Sequence, residues 1–183
     1  MNKGKEKIMN KKIYIILSFT GTILSRIVRL WTRKKYSHTS ISLDNKLNEM
    51  YSFGRVYPYY PFIGSFVHES PKWGTFKRFK KTKSLIISID VSEKQYNKAK
   101  KEINTFIKNG QKYYKFNDRG VVYAAFNKRL TQKNKYYCSE FVKHILDTAG
   151  IENNLPEVIK PMDFINLEKY DVVYEGYLKD YLD

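Results

Sequence analysis

Five consecutive residues, Ile13-Tyr14-Ile15-Ile16-Leu17, leave no position suited to water. A run this apolar and β-rich, stopped by Thr20-Gly21-Thr22, reads as a buried strand. A buried strand requires a sheet around it. The preceding lysines and about ten apolar residues have the order of a signal peptide, but no small-residue cleavage site follows. The run is also far below the roughly 20 residues that span a bilayer. If it is the first strand of the sheet, cleavage would remove it, so the expected location is cytoplasmic. The alternative is export, with residues 1–25 acting as a signal.

The remaining pattern predicts an α+β domain. Thr22 is placed to cap a helix carrying Ile23, Ile27, Leu30 and Trp31. Residues 36–55 read as a β-hairpin turning at Asn45-Lys46. Residues 56–83, rich in Pro, Gly and aromatics, read as an irregular loop or flap. In that segment Tyr57, Tyr59, Tyr60, Phe62 and Phe66 suit either an apolar pocket or a satellite core. Leu85–Val91 is a strand, and Ser92 with Gln95 forms a capping box for a helix ending before Gly110. That helix turns Tyr96, Ala99, Ile103, Phe106 and Ile107 to one side. A helix over Val121–Leu130, a second over about Tyr137–Ala149 and a strand at Asp171–Glu175 follow. Residues 1–12 read as a solvated basic tail, and 13–183 as a single domain without repeats.

Composition narrows the functions. Apolar residues make up 42% of the chain and aromatics 16%, so it folds. One cysteine allows no internal disulfide, and with three scattered histidines it offers no zinc-ligand spacing. No cofactor is expected. The formal charge of +16 implies attraction to anionic partners. The sharpest basic cluster is Lys77–Lys83, KRFKKTK, which suits a solvated face or a nucleic-acid contact.

The cysteine is Cys138, in the first turn of the helix ending at Ala149. Phe141, Val142, Ile145, Leu146 and Ala149 form the apolar stripe, and Gly150 is the C-terminal cap. Unpaired N–H groups and the helix dipole favour thiolate there, and thiolate is the nucleophile. A small buried core residue fits the same position. A nucleophile needs a base. His144 lies on another face of the same helix, and His68 sits in the loop VHES beside Glu69. His38 opens a strand among Ser37, Thr39 and Ser40, the setting a Cys–His pair needs.

Tyr36-Ser37-His38-Thr39-Ser40-Ile41 and Tyr137-Cys138-Ser139-Glu140-Phe141-Val142, in that order, resemble two segments of the circularly permuted papain-like cysteine hydrolases. The likeness is to the YiiX-like branch of the NlpC superfamily, related to the lecithin:retinol acyltransferase fold. Lys160-Pro161-Met162-Asp163-Phe164 is similar to a Pro-x-Asp segment after the cysteine helix in such proteins. The resemblance spans roughly residues 13–165. It implies a small antiparallel sheet packed against helices, a Cys138–His38 dyad, and a third polar residue on the next strand.

With the turn at Asn45-Lys46, Ser42 pairs with Glu49, Ser40 with Tyr51 and His38 with Phe53. Glu49 and Tyr51 then share the face of His38. A one-residue slip brings in Met50 and Ser52 instead. Glu49 is the chemical choice for orienting the imidazole, with Ser52 and Tyr51 as alternatives. The expectation is a thiol-dependent hydrolase of an amide, peptide or acyl-ester substrate, with Cys138, His38 and Glu49 catalytic. The alternatives are a non-catalytic ligand-binding member of the same fold and a basic nucleic-acid-binding domain.

Overall fold

The computed structural model describes residues 11–21, 34–57 and 60–182. Its strands are β1 (Lys11–Phe19), β2 (His38–Ser42), β3 (Met50–Tyr57), β4 (Tyr60–Glu69), β5 (Lys83–Val91), β6 (Lys115–Phe116), β7 (Lys135–Tyr136) and β8 (Asp171–Tyr177). Its helices are α1 (Gly74–Arg78), α2 (Glu93–Tyr113), α3 (Asp118–Ala125) and α4 (Cys138–Ala149). An antiparallel sheet runs in the order β4-β3-β2-β1-β5-β8, and β6 and β7 form a small parallel pair. The class is α+β.

The apolar run becomes β1, inside the sheet between β2 and β5. Both its faces are covered. Ile13, Ile15 and Leu17 join the main core, while Ile16 joins a second cluster with Leu47, Met50, Phe76, Ile86 and Leu178. Period-two alternation divides the side chains between these layers. The expected tail boundary moves, because Lys11 and Lys12 already pair with Val91 and Asp90. The helix expected after Thr22 lies outside the described residues.

The main core is the helix side. Ala99, Ile103 and Phe106 of α2 and Phe141, Val142, Ile145, Leu146 and Ala149 of α4 are buried against the sheet, whereas Ile107 is exposed. Phe53 is the aromatic hub, its ring 5.4 Å from Phe141, 5.3 Å from Tyr136 and 6.0 Å from Phe106. The expected capping box forms, with Ser92 Oγ accepting the Gln95 N–H. Gly110 at φ 57° ends the regular part of α2. Gly150 closes α4 in the left-handed region at φ 70°, which favours glycine. The helix expected over Val121–Leu130 instead runs Asp118–Ala125, because Asn117 accepts the Gly120 N–H and starts it early.

Residues 56–83 are more regular than expected. β3 extends to Tyr57, β4 pairs with it along ten residues, and α1 follows. Phe66 belongs to the main core and Tyr57 is exposed; Tyr59 and the side chains of Tyr60 and Phe62 lie outside the described part. The basic run ends α1 and enters β5. Phe76 and Thr82 anchor it, and Lys77, Arg78, Lys80, Lys81 and Lys83 face water.

Candidate active site

Two strands and one helix end supply the site. β2 and β3 pair only at Ile41–Tyr51 and Ser42–Met50. This is the one-residue slip from the expected register. Its cause is the turn. The Asp44 carboxylate accepts backbone N–H groups from Lys46, Asn48 and Glu49 at 2.9, 3.2 and 2.7 Å. The tight two-residue turn is therefore replaced by a longer loop from Leu43 to Glu49, closed by the Leu43 N–H on the Glu49 carbonyl. Leu47, at φ 55°, is fully buried in the second cluster and fixes the loop.

The slip removes Glu49 from the expected position. Its carboxylate is half-exposed and lies 3.7 Å from Lys100 Nζ. Tyr51 faces the helix side, stacked on Phe66 and His68. Ser52 moves to the face of His38. The carboxylate beside the imidazole comes from β4 instead: Glu69 Oε1 and Oε2 are 3.1 and 3.3 Å from His38 Nε2. Ser40 Oγ donates to Glu69 Oε2 at 2.6 Å. Ser52 Oγ adjoins Glu69 and helps hold its pKa down, though it makes no hydrogen bond of ordinary geometry. Gly54 completes the enclosure. A Cβ there would stand 3.3 Å from Glu69 Oε1 and 3.4 Å from His38 Cε1.

Cys138 meets this pair from the helix side. Its thiol is buried, and the His38 side chain is close enough to lower its pKa. The Thr39 backbone amide also reaches the sulfur, and Ser139 Oγ lies 3.9 Å from it. The first turn of α4 is pinned by Glu140, whose carboxylate accepts the Tyr137 N–H at 3.3 Å. Asn117, fully buried, links that carboxylate to the Leu130 carbonyl.

The electrostatics of the three groups are coupled. Burial opposes charge on all three groups. For His38 the Glu69 carboxylate and the thiol outweigh it and raise the pKa to about 10. Burial pushes the Cys138 thiol up, but the imidazole, the Thr39 amide and Ser139 bring it below the ordinary value. Burial likewise raises Glu69, and His38, Ser40 and Ser52 more than offset it. Each of the three shifts is toward the charged form of its group.

The other histidines stand apart. His144 Nε2 meets Glu102 at 2.9 Å, and His68 Nε2 donates to the Asn48 carbonyl at 2.6 Å. Tyr36 donates its hydroxyl to Glu175 at 3.2 Å. Glu69 is the residue that sequence reasoning missed. Its signal was the alternation Phe66/His68 against Val67/Glu69, visible once FVHE is read as a strand.

The chain matches no protein-family model, and no curated protein is significantly similar to it in sequence. Among the described residues, no helix is long and apolar enough to cross a membrane.

Proposed function

We propose that the protein is a thiol-dependent hydrolase of amide or ester bonds, built on a permuted papain-like plan with the histidine strand ahead of the cysteine helix. Cys138 is the nucleophile, His38 the general base and acid, and Glu69 the group that orients and charges the imidazole. One observation carries the reading: the His38 imidazole interacts both with the Cys138 thiol and with the largely buried Glu69 carboxylate.

The thiolate attacks the substrate carbonyl carbon, forming the C–S bond and moving the C=O π pair onto oxygen. The Cys138 N–H, at the start of α4, is a donor for that oxyanion. As the tetrahedral adduct collapses, the imidazolium gives its proton to the departing nitrogen or oxygen, and the C–N or C–O bond breaks. A thioester remains. Water then gives a proton to His38 and attacks the thioester, the C–S bond breaks, and the acid leaves with the ion pair restored.

The test is acylation and alkylation of the native protein. With p-nitrophenyl acetate, an acetyl adduct on Cys138 that turns over is expected. The adduct is absent in Cys138→Ala and formed on the order of 10²–10⁴-fold more slowly in His38→Ala. A native thiol inert to both the ester and iodoacetamide at neutral pH overturns the proposal.

A further inference from the structure

Between Glu69 and Asp90 the chain carries Lys72, Lys77, Arg78, Lys80, Lys81 and Lys83 and no acidic residue. The fold turns this run into a fixed surface. Phe76, 4% exposed, anchors α1, and Thr82, 1% exposed, anchors the far end. The Thr82 N–H bonds the Phe79 carbonyl at 2.9 Å, a turn with Lys80 and Lys81 at its two central positions. The Leu178 N–H bonds the Thr82 carbonyl at 2.9 Å and ties the turn to the C-terminal part of the chain. Lys72, Lys77, Lys80, Lys81 and Lys83 are all exposed. Two carboxylates border the surface, and both are bridged: Asp180 by Lys179 at 2.8 Å, and Glu175 by Lys35.

The aromatic residues decide which polyanion this surface fits. Single-stranded nucleic acid is held by open aromatic faces on which successive bases stack. Phe79, inside the run, already has the guanidinium groups of Arg55 and Arg78 at 5.8 and 5.5 Å from its ring centroid. Trp73 stands at the edge of the surface, 45% exposed and set edge-on to His68 at 5.2 Å. One amphipathic indole beside lysines suits a bilayer interface, where tryptophan sits at the headgroup level. Apart from Arg78 the charges of the run are lysines, flexible point charges, whereas arginine is the residue that grips individual phosphates with a planar fork. Clusters of about four to eight basic residues are drawn to anionic lipid.

We infer that α1 and the turn at residues 79–83 form a docking surface for an anionic lipid bilayer, with Lys72, Lys77, Lys80, Lys81 and Lys83 in the headgroup field and Trp73 at the interface. The short helix that presents Lys77 outward turns Phe76 inward, its ring centroid 6.4 Å from that of His38. The docked element is therefore the one packed beside the imidazole. Docking requires no catalysis, so its test stands apart from the hydrolase reading.

The probes are vesicles of phosphatidylcholine alone and of phosphatidylcholine with phosphatidylglycerol at three to one, read by co-sedimentation of the full chain. Binding to the anionic vesicles alone is expected, with a blue shift of indole emission that Trp73→Phe removes. Raising the salt from about 0.1 to about 1 M shortens the screening length from about 10 to about 3 Å and releases the protein. Each lysine near an anionic surface is worth roughly fivefold in partition, so Lys77→Gln, Lys80→Gln and Lys81→Gln together weaken binding on the order of 10²-fold. The same loss of charge at three exposed lysines of α2, Lys94→Gln, Lys98→Gln and Lys101→Gln, leaves binding about unchanged. Far-UV circular dichroism checks that both triple variants fold. No binding to the anionic vesicles, or equal weakening by the two triple variants, overturns the docking surface. Retention by a single-stranded oligonucleotide through Lys77, Lys80 and Lys81, without vesicle binding, also overturns it and gives the surface to nucleic acid. The hydrolase reading stands or falls on none of these results.

Discussion

Glu69→Gln keeps the size of the side chain and one acceptor oxygen but removes its charge. The His38 pKa stands at about 10 against the ordinary 6.5. At 1.36 kcal/mol per unit, that gap is about 5 kcal/mol in favour of the imidazolium. Burial works against this value, Glu69 is the largest favourable contributor and Cys138 supplies the rest. The two side chains retain only 19% and 11% of their exposure, so solvent screens the pair weakly. If Glu69 accounts for about half of the gap, its neutralisation costs about 2–3 kcal/mol, or roughly 30–160-fold in the balance between ion pair and neutral pair. The assay is the rate of Cys138 alkylation by iodoacetamide from pH 5 to 10, read by intact mass. The wild-type rate is expected to stay flat well below the ordinary thiol value of about 8.5. Glu69→Gln should lower the rate at pH 6 by about tenfold or more and restore a rise toward alkaline pH. Stability follows with a definite sign. The raised His38 pKa stabilises the fold fully below about 6.5 and loses its effect as pH rises through about 10. The depressed Glu69 pKa stabilises above the ordinary carboxylate range and loses its effect as acid protonates the folded state. The urea stability gap between wild type and Glu69→Gln should therefore be widest near pH 5–6 and close on both sides. An unchanged alkylation profile in a folded Glu69→Gln protein would refute the role assigned to the carboxylate.

Gly54→Val should displace the imidazole–carboxylate pair, since even a Cβ lies 3.3–3.4 Å from both partners; the check is loss of the flat acid limb of the alkylation profile while far-UV circular dichroism is retained. Asp44→Ala leaves three backbone N–H groups of the β2–β3 loop without their acceptor. About 1–3 kcal/mol of stability should be lost in urea unfolding, because the loop seats Leu47 and sets the strand register.

The elements with local causes were legible. The α4 stripe, its Gly150 terminator and the Ser92–Gln95 box depend on neighbours in sequence, and the structure has them where spacing placed them. β1 and β5 were legible because continuous apolar runs have few alternatives. The β2–β3 register was not. Asp44-Asn45-Lys46 is turn chemistry, but whether the turn closes over two residues or around the Asp44 carboxylate depends on where Leu47 is buried. That is decided by Ile16, Met50, Phe76, Ile86 and Leu178, from five other elements of the chain. The same limit hid Glu69. Pro61 and Gly64 break the pattern of β4, so its alternation reads as loop chemistry until the pairing with β3 is known.

The slipped register has a consequence for the chemistry. By alternation, His38, Ser40, Ser52 and Glu69 share the sheet face of the second cluster, while α4 and its cysteine cover the other face. A continuous ladder would separate thiol from imidazole. The β2–β3 pairing stops at Ile41, three residues beyond His38, although β3 continues with β4 to Tyr57. The opening lies beside Thr39, whose backbone amide reaches the sulfur. The unpaired end of β2 is thus where a nucleophile carried by a helix on one face can share a proton with a base supported from the other. The buried carboxylate then belongs on β4, across from the slipped Met50–Ser52–Gly54 face, because the hairpin's own Glu49 is drawn out toward Lys100.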